Sequence, residues 1–216
     1  MASPLKLCML SGSFEYDSEA SLKVFDRHVR DEYGMETTTV VFSTEDDEES
    51  LAALDDTDVL LLFSRRLNTS GAELDRLQRY CAAGRPVVGV RTASHGFQNW
   101  LAFDKDVLGG NYNMHYKPGP AVTVEIAAGD AAQHSILEGV NGFVTYGSLY
   151  RNEPIADDTT LLLTGASVDG TEPVAWTRIH EGGRVFYTSL GHQQDFQEVN
   201  FLRLLSNGVL WAAGRL

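Results

Sequence analysis

The feature that most limits what this chain can fold into is a repeated alternation of short apolar, β-branched runs with stretches of helical periodicity. The runs Leu5 to Leu10, Thr38 to Phe42, Val59 to Phe63 and Pro86 to Val90 are too short for buried helices. They are apolar without strict alternation, as strands covered on both faces of a parallel sheet are. Between them, Leu22, Phe25, Val29 and Tyr33 recur at helical spacing and predict one amphipathic face. Ser70 to Glu73 has the form of a capping box, opening a helix with Leu74, Leu77 and Cys81 on one side and closing at Gly84. Strand and helix in regular succession predict an α/β fold built on a doubly wound, mainly parallel sheet.

Beyond the fourth run the pattern changes. Residues from about Leu101 to Gly119 are rich in Gly, Asn and Tyr, which suits a long functional loop. Val122 to Ile126, Thr160 to Leu163, Val174 to Thr177 and Arg184 to Thr188 then read as strands with little helix between them. The last two, joined through His180-Glu181-Gly182-Gly183, predict a C-terminal hairpin. Asp195 to Glu198 resembles a second capping box, opening a final helix to about Ala213 that buries Phe201, Leu205 and Val209 with Leu202 and Leu210 beside them. No linker and no repeat interrupts residues 1–216, so one domain is expected.

Composition closes off several functions. Seventeen basic and thirty acidic residues leave a net charge of −13. That balance argues against nucleic acids and anionic membranes as partners, since both need clustered Lys and Arg. No apolar run approaches the roughly 18 residues of a membrane helix. The first residues, MASPLKLCML, are too short in apolar content for a secretory signal and read as a strand, so a cytoplasmic location is expected. Cys8 and Cys81 lack metal-type spacing, and Cys8 reads as a packed thiol. The acidic stretch Glu45-Asp46-Asp47-Glu48-Glu49, with Asp55 and Asp56, reads as solvated surface.

In open parallel sheets ligands bind beyond the carboxyl ends of the strands. Ser11 to Tyr16 follow the first run, Ser64-Arg65-Arg66 the third, and Arg91-Thr92-Ala93-Ser94-His95-Gly96 the fourth. Arg65, Arg66 and Arg91 therefore reach one edge of an acidic protein, where guanidinium donors suit an anionic or hydroxyl-rich ligand; ion pairing with nearby carboxylates is the competing reading. Gly89 to Ala93 invites comparison with a nucleophile elbow, but the residue two after the glycine is Arg91, which cannot attack. His28, His134 and His180 read as surface or turn residues. His95, His115 and His192 each lie in a Gly-bearing segment able to bend toward the strand ends. Three imidazoles there suit polar pocket lining, proton transfer or a zinc-like ion, and none has the spacing that would assign a metal. Trp100, Tyr112, Tyr116 and Tyr150 offer faces for a sugar ring or for packing the loop. Apolar surface near Trp100 and Phe103 offers a homodimer contact.

Several segments together resemble the ThuA-like, or trehalose-utilisation, family: GRPVVGVRTASHGFQNW (84–100), LGGNYNMHY (108–116), SLYRNEP (148–154), PVAWTR (173–178), GRVFYTSLGHQQDF (183–196) and FLRLLSNGVLWAAG to residue 214. The resemblance implies a three-layer sandwich similar to class I glutamine amidotransferases, with a mainly parallel sheet and without their catalytic cysteine, whose place Arg91 takes. It implies a protein of carbohydrate metabolism that acts on or binds a sugar or keto-sugar derivative. The family's site motifs fall on His95, His115 and His192, with Tyr150 and Arg151 nearby. Many relatives carry an acid in the segment matching Gly147 to Arg151, and this chain has Gly147 and Ser148 there. The expected catalytic groups are His95, His192 and Arg91, and the expected substrate contacts are Arg65, Arg66, His115, Tyr150 and Arg151. No cofactor or metal is assigned. The competing expectations are a non-catalytic metabolite-binding or scaffolding domain and, behind it, a metal-dependent hydrolase.

Overall fold

The structure, a computed structural model, describes residues 3–216. Strand β1 (Lys6–Gly12) is followed by helix α1 (Ser18–Tyr33), β2 (Glu36–Val41), β3 (Val59–Ser64), α2 (Gly71–Ala82) and β4 (Val87–Val90). The chain then forms β5 (Met114–His115), β6 (Val122–Ile126), β7 (Phe143–Thr145), β8 (Tyr150–Arg151), β9 (Thr160–Ser167), β10 (Gly170–His180), β11 (Gly183–Thr188) and α3 (Val199–Ala212). The described residues build a nine-stranded sheet in the order β2-β1-β3-β4-β11-β10-β9-β6-β7, and β5 pairs with β8 apart from it. From β2 to β11 the pairs are parallel; from β11 to β7 they are antiparallel.

Alternating side chains explain why the first half needs cover on both sides. Leu7 and Met9 of β1 and Val59, Leu61 and Phe63 of β3 face a core completed by Phe25 and Val29 of α1 and Leu205 and Val209 of α3. Cys8 and Leu10, with Leu60 and Leu62, face a second core completed by Leu77 and Cys81 of α2 and by Phe97, Phe103 and Leu108. The strand order reverses between β1 and β3, so a crevice is expected beyond their carboxyl ends.

Several local readings change. The capping box of α2 does not form: Ser70 makes no side-chain cap bond, and the Glu73 carboxylate accepts the Leu51 N–H at 2.7 Å instead of reaching back to Ser70. Asp195 belongs to a separate 3-10 turn, Gln193–Gln197, and α3 starts after Glu198, whose carboxylate caps Asn200. Tyr33 is 39% exposed, off the buried face of α1. Phe103 is buried with Trp100 edge-on against it at 5.0 Å, so it offers no surface to a second copy. The hairpin is present and longer than expected; Glu181 and Gly182, both at positive φ, form its turn. His28 is half-buried between Phe25 and Tyr33 rather than on the surface. Among the described residues, no helix is long and apolar enough to cross a membrane.

Candidate functional site

Everything at the strand edge is arranged around Arg91. The residue sits at the end of β4 with φ 46°, a left-handed conformation uncommon for a residue with a Cβ. The elbow is therefore real. Its carbonyl is pinned by the Tyr187 hydroxyl at 2.7 Å, which fixes the strained turn from the neighbouring strand β11.

The Arg91 side chain turns inward and is fully buried. Nη1 donates to the Ser189 carbonyl at 2.8 Å; Nη2 donates to the Tyr16 hydroxyl at 3.0 Å and to the carbonyl and hydroxyl of Ser148, both at 3.2 Å. The guanidinium lies between two ring faces, 4.3 Å from Tyr16 and 4.7 Å from Tyr150. Each such contact contributes about 1–2 kcal/mol when desolvated. Burial works against its charge, but the tyrosine oxygens, Tyr150 first, and Asp195 outweigh this and hold the guanidinium above its ordinary range. Gly147 makes the approach possible: a Cβ there would lie 2.8 Å from Nη1 and 3.0 Å from Cζ.

On one side of Arg91 stands His192. Its ring meets Tyr16 edge-on at 6.4 Å, and its Nδ1 accepts weakly from the Gln194 N–H at 3.4 Å. Buried Asp195 positions this segment, since one oxygen, Oδ2, accepts from the Thr145 hydroxyl and from the N–H groups of Gly191 and His192, each at 2.9 Å. Partial burial, against the pull of Asp195, lowers the His192 pKa.

On the other side an aromatic face is exposed in steps. His95 stacks on Tyr112 at 4.5 Å, Tyr112 leans on Tyr150 at 4.5 Å, and His115 stacks 6.4 Å from Tyr150. Tyr150 is buried, Tyr112 half-buried and His115 exposed. His95 Nδ1 lies 3.1 Å from Ser94 Oγ, which leaves Nε2 for an outside partner. Burial first, then Arg65, Arg66, Arg91 and His115, push its pKa down to about 3, so the ring is neutral at physiological pH. His115 Nδ1 donates to the Tyr116 carbonyl at 2.7 Å. The loop carrying Tyr112 and His115 is tied down by Asp104, whose Oδ2 accepts the Tyr112 N–H at 2.8 Å. Burial raises that carboxyl to about 7.

Arg65 bridges Glu15 at 3.3 Å and Glu45 at 3.6 Å, so its charge is answered inside the protein. Arg66 is exposed at φ 52°, with its N–H bonded to the His95 carbonyl at 2.8 Å. Arg151 lies on the Tyr116 ring at 5.4 Å, at the margin. Among the described residues, no group of three or more His, Cys, Asp or Glu is placed to hold a metal.

Residues 9–212 match the family model described as trehalose utilisation. The chain belongs to the ThuA family. Membership supports a carbohydrate-related role. A ThuA-like protein from Bacteroides uniformis matches at 20% identity, covering 98% of this chain and 93% of that one, with a TM-score of 0.73. One from Parabacteroides merdae matches at 18% identity over 98% and 90%, with a TM-score of 0.76. A glutamine amidotransferase from Thermotoga maritima matches at 10% identity over 98% and 99%, with a TM-score of 0.60. The ThuA-family fold of this chain is therefore amidotransferase-like. No curated protein matches the chain significantly.

Within this ThuA-family site, sequence reasoning missed four contributors. Tyr16 follows β1 and was legible as a strand-end residue, but its stacking on Arg91 was not. Asp195 looked like a helix cap and is an anchor for the His192 turn. Ser148 and Ser189 contribute carbonyls, which no side-chain pattern announces.

Proposed function

We propose that this ThuA-family protein binds and acts on a sugar or keto-sugar derivative at the strand edge around Arg91, without amidotransferase activity. The observation that carries the reading is the half-buried Tyr112 ring beside His95, backed by buried Tyr150. Aromatic rings offer their faces to the C–H side of a sugar ring, while His95 Nε2 and His115 supply groups for its hydroxyls. A neutral imidazole polarises a carbonyl or hydroxyl by hydrogen bonding, and His192, where partial burial is opposed by Asp195 favouring the protonated form, is the proposed proton carrier. Arg91 acts as a positioning residue: its bonds to Ser189, Ser148 and Tyr16 hold the two sides of the site together. Arg66 and Arg151 remain proposed ligand contacts; Tyr150, buried between Arg91 and Tyr112, backs the site rather than touching the ligand, and Arg65 is a pairing residue at the rim.

The experiment is turnover of disaccharides and their 3-keto forms by the purified protein, with His95→Ala and His192→Ala in parallel. Loss of at least about ten-fold in kcat/KM is expected for each. Equal turnover by both variants and the parent removes the histidines from the mechanism. One observation favours a second reading, a binding domain without turnover: the elbow is occupied by a side chain engaged in internal bonds. A ligand that raises the melting temperature yet is recovered unchanged selects that version.

A further inference from the structure

The charges at this edge do not balance, although the chain as a whole carries −13. Glu15 and Glu45 pair with Arg65. Asp195 directs one oxygen at three internal donors. Among the described residues, neither Arg66 nor Arg91 has a carboxylate within ion-pair distance. Arg91 is buried beneath the aromatic face, Arg66 stands exposed beside His95, and exposed Arg151 lies farther along the same rim. A low-dielectric floor with a cation below it and another beside it focuses positive potential on whatever occupies the face.

We infer that the ligand of this edge is an acidic sugar, whose ring lies on Tyr112 and whose carboxylate pairs with the Arg66 guanidinium. The inference rests on the sugar-site reading above and adds the charge of the ligand. A guanidinium forks onto a carboxylate or a phosphate alike; the carboxylate fits better because its single charge is answered by one exposed guanidinium without an ion-pair partner among the described residues, that of Arg66. A phosphate dianion is usually met by several backbone N–H groups at a helix N-terminus. Here the N-terminus of α2 opens instead onto the acidic groove lined by Asp46, Asp47, Glu48 and Glu49. His95 lies within this field: after burial, Arg65, Arg66 and Arg91 are the groups that most depress its protonation.

The test compares glucose, trehalose, glucuronate and glucose 6-phosphate by melting-temperature shift and titration calorimetry, at low and at physiological ionic strength. Glucuronate is expected to bind tightest and to weaken with salt. Arg66→Gln, an exposed change that leaves the fold intact, is expected to cost glucuronate about ten-fold in Kd and glucose little, the value of one exposed charge-assisted pair. Glucose or trehalose binding as well as glucuronate overturns the acidic-ligand inference and leaves the sugar reading standing. Glucose 6-phosphate binding best overturns the choice of carboxylate. Arg66→Gln retaining the full preference for the acid removes Arg66 as its partner. If none of the four compounds binds, the sugar reading fails and this inference with it.

Discussion

The two sides of Arg91 are built on opposite principles. Toward Tyr16 and His192 nearly every polar group is anchored inside: Asp195 holds the turn, Thr145 holds Asp195, and Ser189 holds the guanidinium. Toward Tyr150, Tyr112 and His115 the contacts are ring on ring, and the loop is held at its start by Asp104 and farther along by the pairing of β5 with β8. Buried polar networks specify one geometry but cost heavily when broken, whereas stacked rings tolerate displacement. The lesson is a difference in construction: one wall is fixed by buried polar bonds around the His192 turn, and the other is built from stacked rings, which makes it the more adjustable of the two.

The sharpest way to break this comparison is Arg91→Met, which removes the group both walls share. It strands the Ser189 and Ser148 carbonyls and the Tyr16 hydroxyl, with an expected loss of about 3–5 kcal/mol in urea unfolding, because unpartnered buried groups carry their full desolvation penalty. A loss below about 1 kcal/mol would show that the clamp is not structural.

Next in size is a pair of opposed pH effects on the adjustable wall. Asp104 is raised to about 7 from an ordinary 3.8, so its contribution is complete below pH 3.8 and disappears as pH rises through about 7. His95 is lowered to about 3 from 6.5, so its contribution is complete above pH 6.5 and disappears as pH falls through about 3. Between those limits the two slopes oppose each other, each at most about 1.4 kcal/mol per pH unit. Relative to the parent, Asp104→Asn is expected to gain stability as pH rises from 4 to 7. His95→Gln is expected to gain as pH falls below 6.5. Melting temperatures across that range decide it; two variants running parallel to the parent would refute both assignments.

The smallest effect is expected for Arg65→Gln, whose two bridges are partly exposed. The change should cost at most about 1 kcal/mol, and less in high salt. A larger, salt-resistant loss would move Arg65 from the rim into the rigid wall.

The parallel half of the fold was legible because burial on both faces writes itself as uninterrupted apolar runs, as in Val59 to Phe63. The antiparallel half was legible in place but not in length: β10 runs over Gly170–His180, and its ends are too polar to register as strand. Capping signals misled for one reason. Glu73 and Asp195 have the right spacing, but Leu51 claims the Glu73 carboxylate, and that of Asp195 is taken by Thr145 and by a capping box with His192 one turn earlier. His95, His115 and His192 were picked out from their segments; His95 and His115 lie beside the Tyr112–Tyr150 pair, whereas His192 meets Tyr16 on the other side of Arg91. What could not be read was direction. Nothing in the letters around Arg91 says that its side chain points down between two tyrosines, since that depends on Gly147 leaving room from 56 positions away.

The two cysteines lend themselves to a practical use. Cys8 on β1 and Cys81 on α2 are both buried in the core layer opposite α1 and α3, and burial pushes their thiols up to about 11 and about 12. Neither can meet an alkylating reagent until strand and helix part. The wild-type chain thus carries its own chemical reporter of how often that layer opens, with no label to introduce and no residue around Arg91 disturbed.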